Sequence, residues 1–228
     1  MKQKFNLTKQ IRNLLVSNSY YLRHNRISYK KNNFEKNYHG LVVDPDGKKR
    51  NLISEKKYKL KQQKHIITFL KKAKPGKILD IGCGHGWLLS TLDNNWNKFG
   101  VEISKFASQS ASKYGKIFTG KLEDFKEKKF DFITAIHVIE HHPKPEKLIK
   151  KIYRLLKRKG MLILETPDFD SAAARRFGKK FRLLKDKTHI SLFSQDSLKR
   201  IIRDHNFKIF DINYPYFETP FFNKESIL

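Results

Sequence analysis

The stretch KILDIGCGHGWLLS at residues 77–90 decides how this chain is read. Ile78 to Ile81 is a short apolar run, the pattern of a buried parallel strand. Gly82, Gly84 and Gly86 follow at alternate positions, and apolar residues then resume at helical spacing with Trp87, Leu88, Thr91 and Leu92. The order predicted is strand, tight glycine turn, helix. Glycine admits positive φ and close approach of a ligand to the backbone. A helix start adds unpaired N–H groups. Asp80 falls at the carboxyl end of the strand, where open α/β sheets bind ligands. The dinucleotide fingerprint Gly-x-Gly-x-x-Gly is not met, because Trp87 stands three positions after Gly84.

A second acid strengthens the reading. Trp96 to Ile103 reads as the next strand, and Glu102 near its end stands 20 residues beyond Gly82. A carboxylate at that place suits the two ribose hydroxyls of a nucleoside. Asp80, the three glycines and Glu102 together resemble motif I and its partner acid in class I S-adenosylmethionine-dependent methyltransferases. The resemblance implies a Rossmann-like α/β fold, doubly wound, with a mostly parallel sheet of six to seven strands. It also implies S-adenosylmethionine as cofactor. Asp80, Gly82, Cys83, Gly84 and Gly86 would then seat its methionine and ribose side. Glu102 would take the ribose diol, and Leu122 and Glu123 after the third strand would take adenine. A glycine turn with no ligand, and a nucleotide-sugar or nicotinamide site, are the competing readings.

Length and composition agree with one α/β domain plus an extension. No apolar run approaches about 20 residues, so no transmembrane helix is expected. Met1 to Ser19 lacks the long apolar core of a signal peptide. Cys83 is the only cysteine, which excludes an internal disulfide and points to the cytoplasm; within the turn it reads as a small filler rather than a nucleophile. The net charge is +27, and residues 1–75 hold 20 Lys and Arg against 4 Asp and Glu. A basic front attracts nucleic acid or anionic lipid. Lysine-rich, Asn- and Ile-rich composition also fits a solvated surface, so a nucleic-acid partner is not the favoured reading.

Residues 1–55 read as a basic extension, with Thr8 capping a short helix and a turn at Asp44 to Gly47. Residues 56–214 read as the catalytic domain and 215–228 as an aromatic tail. Within the domain, helices are expected over about 54–72, 104–113 and 145–158, the last closed by Gly160. Strands are expected at 116–119, 130–136, 161–165 and 208–213, with a short seventh candidate at 217–223. Residues 168–192 read as an irregular, lid-like connection.

The fourth strand leads into His137-Val138-Ile139-Glu140-His141-His142. Imidazoles and a carboxylate there suit a general base. The run from Phe130 to Ile212 resembles a large bacterial methyltransferase subfamily, through Glu140-His141, Glu165-Thr166-Pro167 and His189-Ile190-Ser191-Leu192-Phe193-Ser194. That resemblance places His137 beside the cofactor. It makes His137, His141 and His189 the candidate catalytic residues. Ubiquinone-type O-methyltransferases carry a similar Glu-x-x-Glu-His segment that can hold a divalent metal. Here His137 replaces the first acid, so no metal is expected. The expected acceptor is a small molecule, a sugar or a lipid-linked precursor. RNA is the alternative, and a non-catalytic cofactor-binding partner subunit is a third reading. The Asn/Asp-Pro-Pro-Tyr motif of base amino-methyltransferases does not follow the fourth strand.

Overall fold

A computed structural model of the chain describes residues 19–24, 39–43, 49–184 and 186–214. These fall into two units interleaved in sequence. The helix expected near Thr8, the turn at 44–47 and the tail at 215–228 lie outside the described residues.

The larger unit holds the central sheet. In chain order its elements are β2 (Leu41–Val43), β3 (Lys49–Asn51), α1 (Lys56–Gln62), α2 (Lys64–Lys72), β4 (Lys77–Ile81), β5 (Asn97–Glu102), α3 (Lys105–Ala111), β6 (Lys116–Thr119), β7 (Phe130–Ile136) and β8 (Leu156–Glu165). β2 and β3 form a separate antiparallel hairpin. The other five strands make a parallel sheet in the order β6-β5-β4-β7-β8. β4 lies in the middle, and the chain changes winding direction between β4 and β7. Ligands of open α/β sheets bind at such a switch point. The register pairs Asp80 with Gly100 on one side and with Thr134 on the other. Apolar side chains on β4 and α2 form the core under this point: Ile78 with Ile66 and Leu70, joined by Leu89, Leu92 and Trp96. Ile66 and Leu70 sit four residues apart, so one helix stripe is buried.

The smaller unit is built from β1 (Leu22–Arg23), the segment 137–153 with most of α4 (Pro145–Leu155), and 165–211 with α5 (Ala172–Phe177), β9 (Ser191–Leu192) and α6 (Gln195–Asp204). β1 and β9 pair antiparallel, Leu22 opposite Leu192. Phe169, Leu184 and Leu192 form its apolar centre. Ser171 caps α5 by accepting from the Ala174 N–H, and Ser194 with Ser197 forms a reciprocal cap on α6.

Four expectations are corrected. No helix follows the glycine turn; only a short 3-10 turn forms at Leu89–Thr91. The hydroxyls of Ser90 and Thr91 donate to the carbonyls of Trp87 and Leu88, each at 2.7 Å, and compete with a helical ladder. The helix after the fourth strand stops at Leu155 and the chain enters β8 directly. Gly160 is a strand residue: a Cβ there would lie 2.8 Å from the Phe130 carbonyl oxygen. Residues 206–213 form no strand. Asn206 adopts φ +67, and the Phe207 N–H donates to the Ile202 carbonyl, so the pair ends α6. Finally, 168–192 is not irregular, since it carries α5, two 3-10 turns and β9. The main sheet thus has five strands among the described residues, against six to seven expected.

Gly100 tests how tightly the site is packed. A Cβ on it would lie 2.6 Å from Cys83 Sγ and 2.7 Å from Ile117 Cδ1. Gly100→Ala should therefore cost about 1–3 kcal/mol of stability in denaturant unfolding. Cys83→Ala in the same chain should return part of that loss, and strict additivity would refute the contact.

Candidate active site

The glycine turn is made by backbone alone. Gly82, Gly84 and Gly86 have φ +67, +53 and +72, values that side chains strain. The Gly82 N–H donates to the Val101 carbonyl at 2.8 Å, which ties the turn to β5. Gly86 serves packing, because a Cβ would lie 2.9 Å from that of Ala111 on α3. At Gly84 the nearest atoms to an added Cβ belong to the His39 ring at 3.8 Å.

Glu102 ends β5 and turns its carboxylate back to this turn. Oε2 accepts from the Gly84 N–H at 2.8 Å, and Oε1 accepts from the Ser104 N–H at 2.9 Å. His39 Nε2 lies 3.6 Å from Oε1. The residue is 3% exposed. Burial opposes its charge, but His39 and the two backbone donors outweigh burial and hold the pKa below the usual carboxylate value. A carboxylate has about four lone-pair sites, so the two backbone bonds do not saturate it. His85 Nε2 bonds the His39 carbonyl at 2.8 Å, and the His85 ring stacks on Trp87.

Asp80 is also buried, with Oδ1 accepting from the Thr134 hydroxyl at 2.6 Å. Burial, with the Glu102 charge adding, pushes its pKa up to about 7, against the pull of that hydrogen bond. Cys83 is buried and its thiol is pushed well above its ordinary value, chiefly by burial, which suits a filler. Leu122 is buried and opens a 3-10 turn that includes Glu123 and Asp124, beyond Gly120, whose N–H donates to the Glu102 carbonyl.

His137, His141 and His189 lie in the smaller unit. His137 has φ +54, a left-handed backbone rare outside glycine. Its Nδ1 lies 3.1 Å from Glu140 Oε1 and its Nε2 lies 3.3 Å from Glu165 Oε1. Half of its side chain is exposed. Partial burial of the ring works against a charge, yet the two carboxylates outweigh it and raise the pKa to about 9. Glu140 is fully buried; burial disfavours its charge, but His137 and the neighbouring histidines hold it down to about 2. Its Oε2 accepts from the Thr166 hydroxyl at 2.9 Å. His141 and His189 are buried with ring centroids 4.9 Å apart. Burial lowers the His141 pKa, with Glu140 opposing.

The structure thus brings Asp80, Cys83, the glycines and Glu102 together in one unit, and His137, His141 and His189 together in the other. Sequence reasoning did not find Thr134, His39, His85 and Asp186, and it noted Glu165 and Thr166 only as part of a resemblance, with no role in the site. Thr134 was reachable in principle, since it sits on β7 opposite Asp80. His39 carries no local signal.

A parallel sheet with this strand order, a positive-φ glycine turn after its central strand and an acid ending the next strand define a class I S-adenosylmethionine-dependent methyltransferase. A family model described as Methyltransferase domain matches residues 52–212, and the chain belongs to that family. It is 32% identical over 149 residues to an uncharacterised protein of Methanocaldococcus jannaschii, covering 64% of this chain and 71% of that one. It is 32% identical over 101 residues to a ubiquinone biosynthesis O-methyltransferase of Alkalilimnicola ehrlichii, covering 40% of this chain and 41% of that enzyme. Among solved structures, a Thermotoga maritima S-adenosylmethionine-dependent methyltransferase, described as a possible histamine N-methyltransferase, matches with TM-score 0.56 and 25% identity. That match covers 69% of this chain and 74% of that one. Among the described residues no helix is long and apolar enough to cross a membrane.

The raised Asp80 pKa gives a signed prediction. A buried acid that stays protonated above its unfolded pKa contributes stability below about pH 4 and loses it as pH rises through about 7. Between pH 5 and 8 the wild-type chain should therefore lose stability relative to Asp80→Asn, by at most about 1.4 kcal/mol per pH unit. Paired thermal melts across that range measure it; parallel pH profiles would refute the raised value.

Proposed function

We propose that this methyltransferase passes the methyl group of S-adenosylmethionine to an oxygen or nitrogen of a small-molecule, sugar or lipid-linked acceptor. The observation that carries the cofactor half is the Glu102 carboxylate, fixed by two backbone N–H groups beside the positive-φ glycines. The bound cofactor supplies a methyl already activated on a sulfonium. The chain's task is to hold and align it and to keep water away. On this reading Glu102 accepts from the ribose hydroxyls, Asp80 faces the methionine ammonium, and the Leu122–Glu123 turn borders adenine. His39 shares Glu102, so cofactor entry changes its 3.6 Å contact.

The acceptor half rests on chemistry and on resemblance. The ubiquinone biosynthesis relative supports a small-molecule oxygen acceptor, over two fifths of each chain. An acceptor hydroxyl must lose its proton as the methyl arrives. His137 turns both ring nitrogens to carboxylates, so it serves as a fixed cation that positions Glu140 and Glu165. His141 and His189 are held by Nδ1, each bonded to a backbone carbonyl, so a proton taken from the acceptor would go to Nε2.

Calorimetry with S-adenosylmethionine tests the cofactor assignment. Glu102→Ala should weaken binding by about 1.5–3 kcal/mol, the range for a hydrogen bond to a charged group. A circular dichroism melt of the same variant controls for folding. A folded variant with unchanged affinity overturns the ribose role.

A further inference from the structure

The geometry points to His39 as a gate over the Glu102 carboxylate, a ring that must turn aside before a ribose can reach the acid; this rests on the cofactor role proposed for Glu102. Burial sets the problem. Glu102 is 3% exposed, so it can accept from a ligand only after a covering group moves. Among the described residues, three nitrogen groups stand against its oxygens. Two are the Gly84 and Ser104 N–H groups, at 2.8 and 2.9 Å. Moving either would undo the glycine turn or the start of α3. The third is the His39 ring, whose Nε2 lies 3.6 Å from Oε1. That separation is longer than a hydrogen bond, so this contact is the least costly of the three to break.

The same ring covers the glycine turn. A Cβ built on Gly84 would meet Cε1 and Nδ1 of His39 at 3.8 Å, ordinary van der Waals contact. Apart from the chain neighbours of Gly84, no other described atom lies within 4 Å of that point. A positive-φ glycine lets a ligand come close to the backbone. Here a side chain from ahead of the sheet stands across that approach.

The backbone beneath the ring is anchored. The His39 carbonyl accepts from His85 Nε2 at 2.8 Å, and the next carbonyl, of Gly40, accepts from the Leu52 N–H at 2.8 Å. His85 is itself fixed, stacked on Trp87 with centroids 5.0 Å apart and edge-on to Phe106. A base held by short backbone bonds and a tip held to the acid across 3.6 Å make a side-chain gate. Rotation between staggered χ1 wells carries the ring off Glu102 with the chain in place. Such rotations are fast, so the gate acts by lowering the fraction of chains ready to bind. The demethylated product, S-adenosylhomocysteine, keeps the ribose, so entry and exit pass the same ring.

The test titrates wild type and His39→Ala with S-adenosylmethionine and, separately, with S-adenosylhomocysteine by calorimetry. Removing the ring should tighten both ligands by about 3-fold to 10-fold, the factor by which a mostly closed population reduces apparent affinity. The two gains should match, because the ligands share the ribose and differ at the sulfur. A gain confined to S-adenosylmethionine would show charge repulsion by His39 instead and overturns the gate. Weaker binding overturns it too, since the ring would then be a cofactor contact, and so does unchanged binding. A circular dichroism melt checks folding; should His39→Ala not fold, His39→Gln, which also removes the ring, is read in the same way. Wild type that binds while the folded variant gains nothing overturns the gate alone. A folded Glu102→Ala chain with wild-type affinity overturns the ribose role beneath it.

Discussion

One buried carboxylate ties the cofactor region together. Glu102 receives a backbone N–H from the turn after β4 and another from the second residue beyond its own strand. Burying an anion is costly unless donors surround it, and charge-assisted bonds from backbone N–H groups meet that need. The dependence also runs the other way. Without the carboxylate, the Gly84 and Ser104 N–H groups would lose their partner. Ser104 is in turn the cap of α3, accepting from the Ala107 N–H at 3.2 Å. Turn, strand end and helix start are therefore positioned by the same charge. A ribose would meet a group already fixed, which spares the ordering cost of binding.

Asp80 is the counterpart to this arrangement. It stands at the tip of β4, and Glu102 adds its charge to the burial that raises the Asp80 pKa to about 7. Two acids in one dry region cannot both ionise cheaply without a cation. In the free chain a proton on Asp80 is one form of relief. On the proposed reading, S-adenosylmethionine, which carries a sulfonium and an ammonium, would add positive charge beside Asp80. The Thr134 hydroxyl, 2.6 Å from Oδ1, keeps Asp80 oriented in either protonation state.

Local signals were legible where the backbone itself makes the feature. Alternate glycines read as a positive-φ turn, and all three have that conformation. The strands at 116–119 and 130–136 read directly from short β-branched and aromatic runs. The misreadings came from residues with two uses. Gly160 looks like a helix stop, but β7 passes too close for any side chain there. Asn206-Phe207 looks like a strand opening, yet Asn206 is a left-handed helix cap. Trp87 to Leu92 has helical spacing, but Ser90 and Thr91 spend their hydroxyls on nearby carbonyls. His39 and Asp186 were invisible for a different reason. Their partners, Glu102 and His189, are known only after the chain has folded.

The histidine cluster shows why residue type alone did not settle chemistry there. Three imidazoles looked equivalent as bases, but their hydrogen bonds separate them. His137 sits at φ +54 between Glu140 and Glu165, a strained backbone that persists only where surrounding contacts over-determine it. Those contacts fix the direction of the Glu140 carboxylate. His141 and His189 are aimed by carbonyls instead, each through its Nδ1. The two stretches that carry them are joined at backbone carbonyls, since the Ile190 N–H donates to the Glu140 carbonyl at 2.9 Å and the Ser191 hydroxyl to the His142 carbonyl at 2.9 Å.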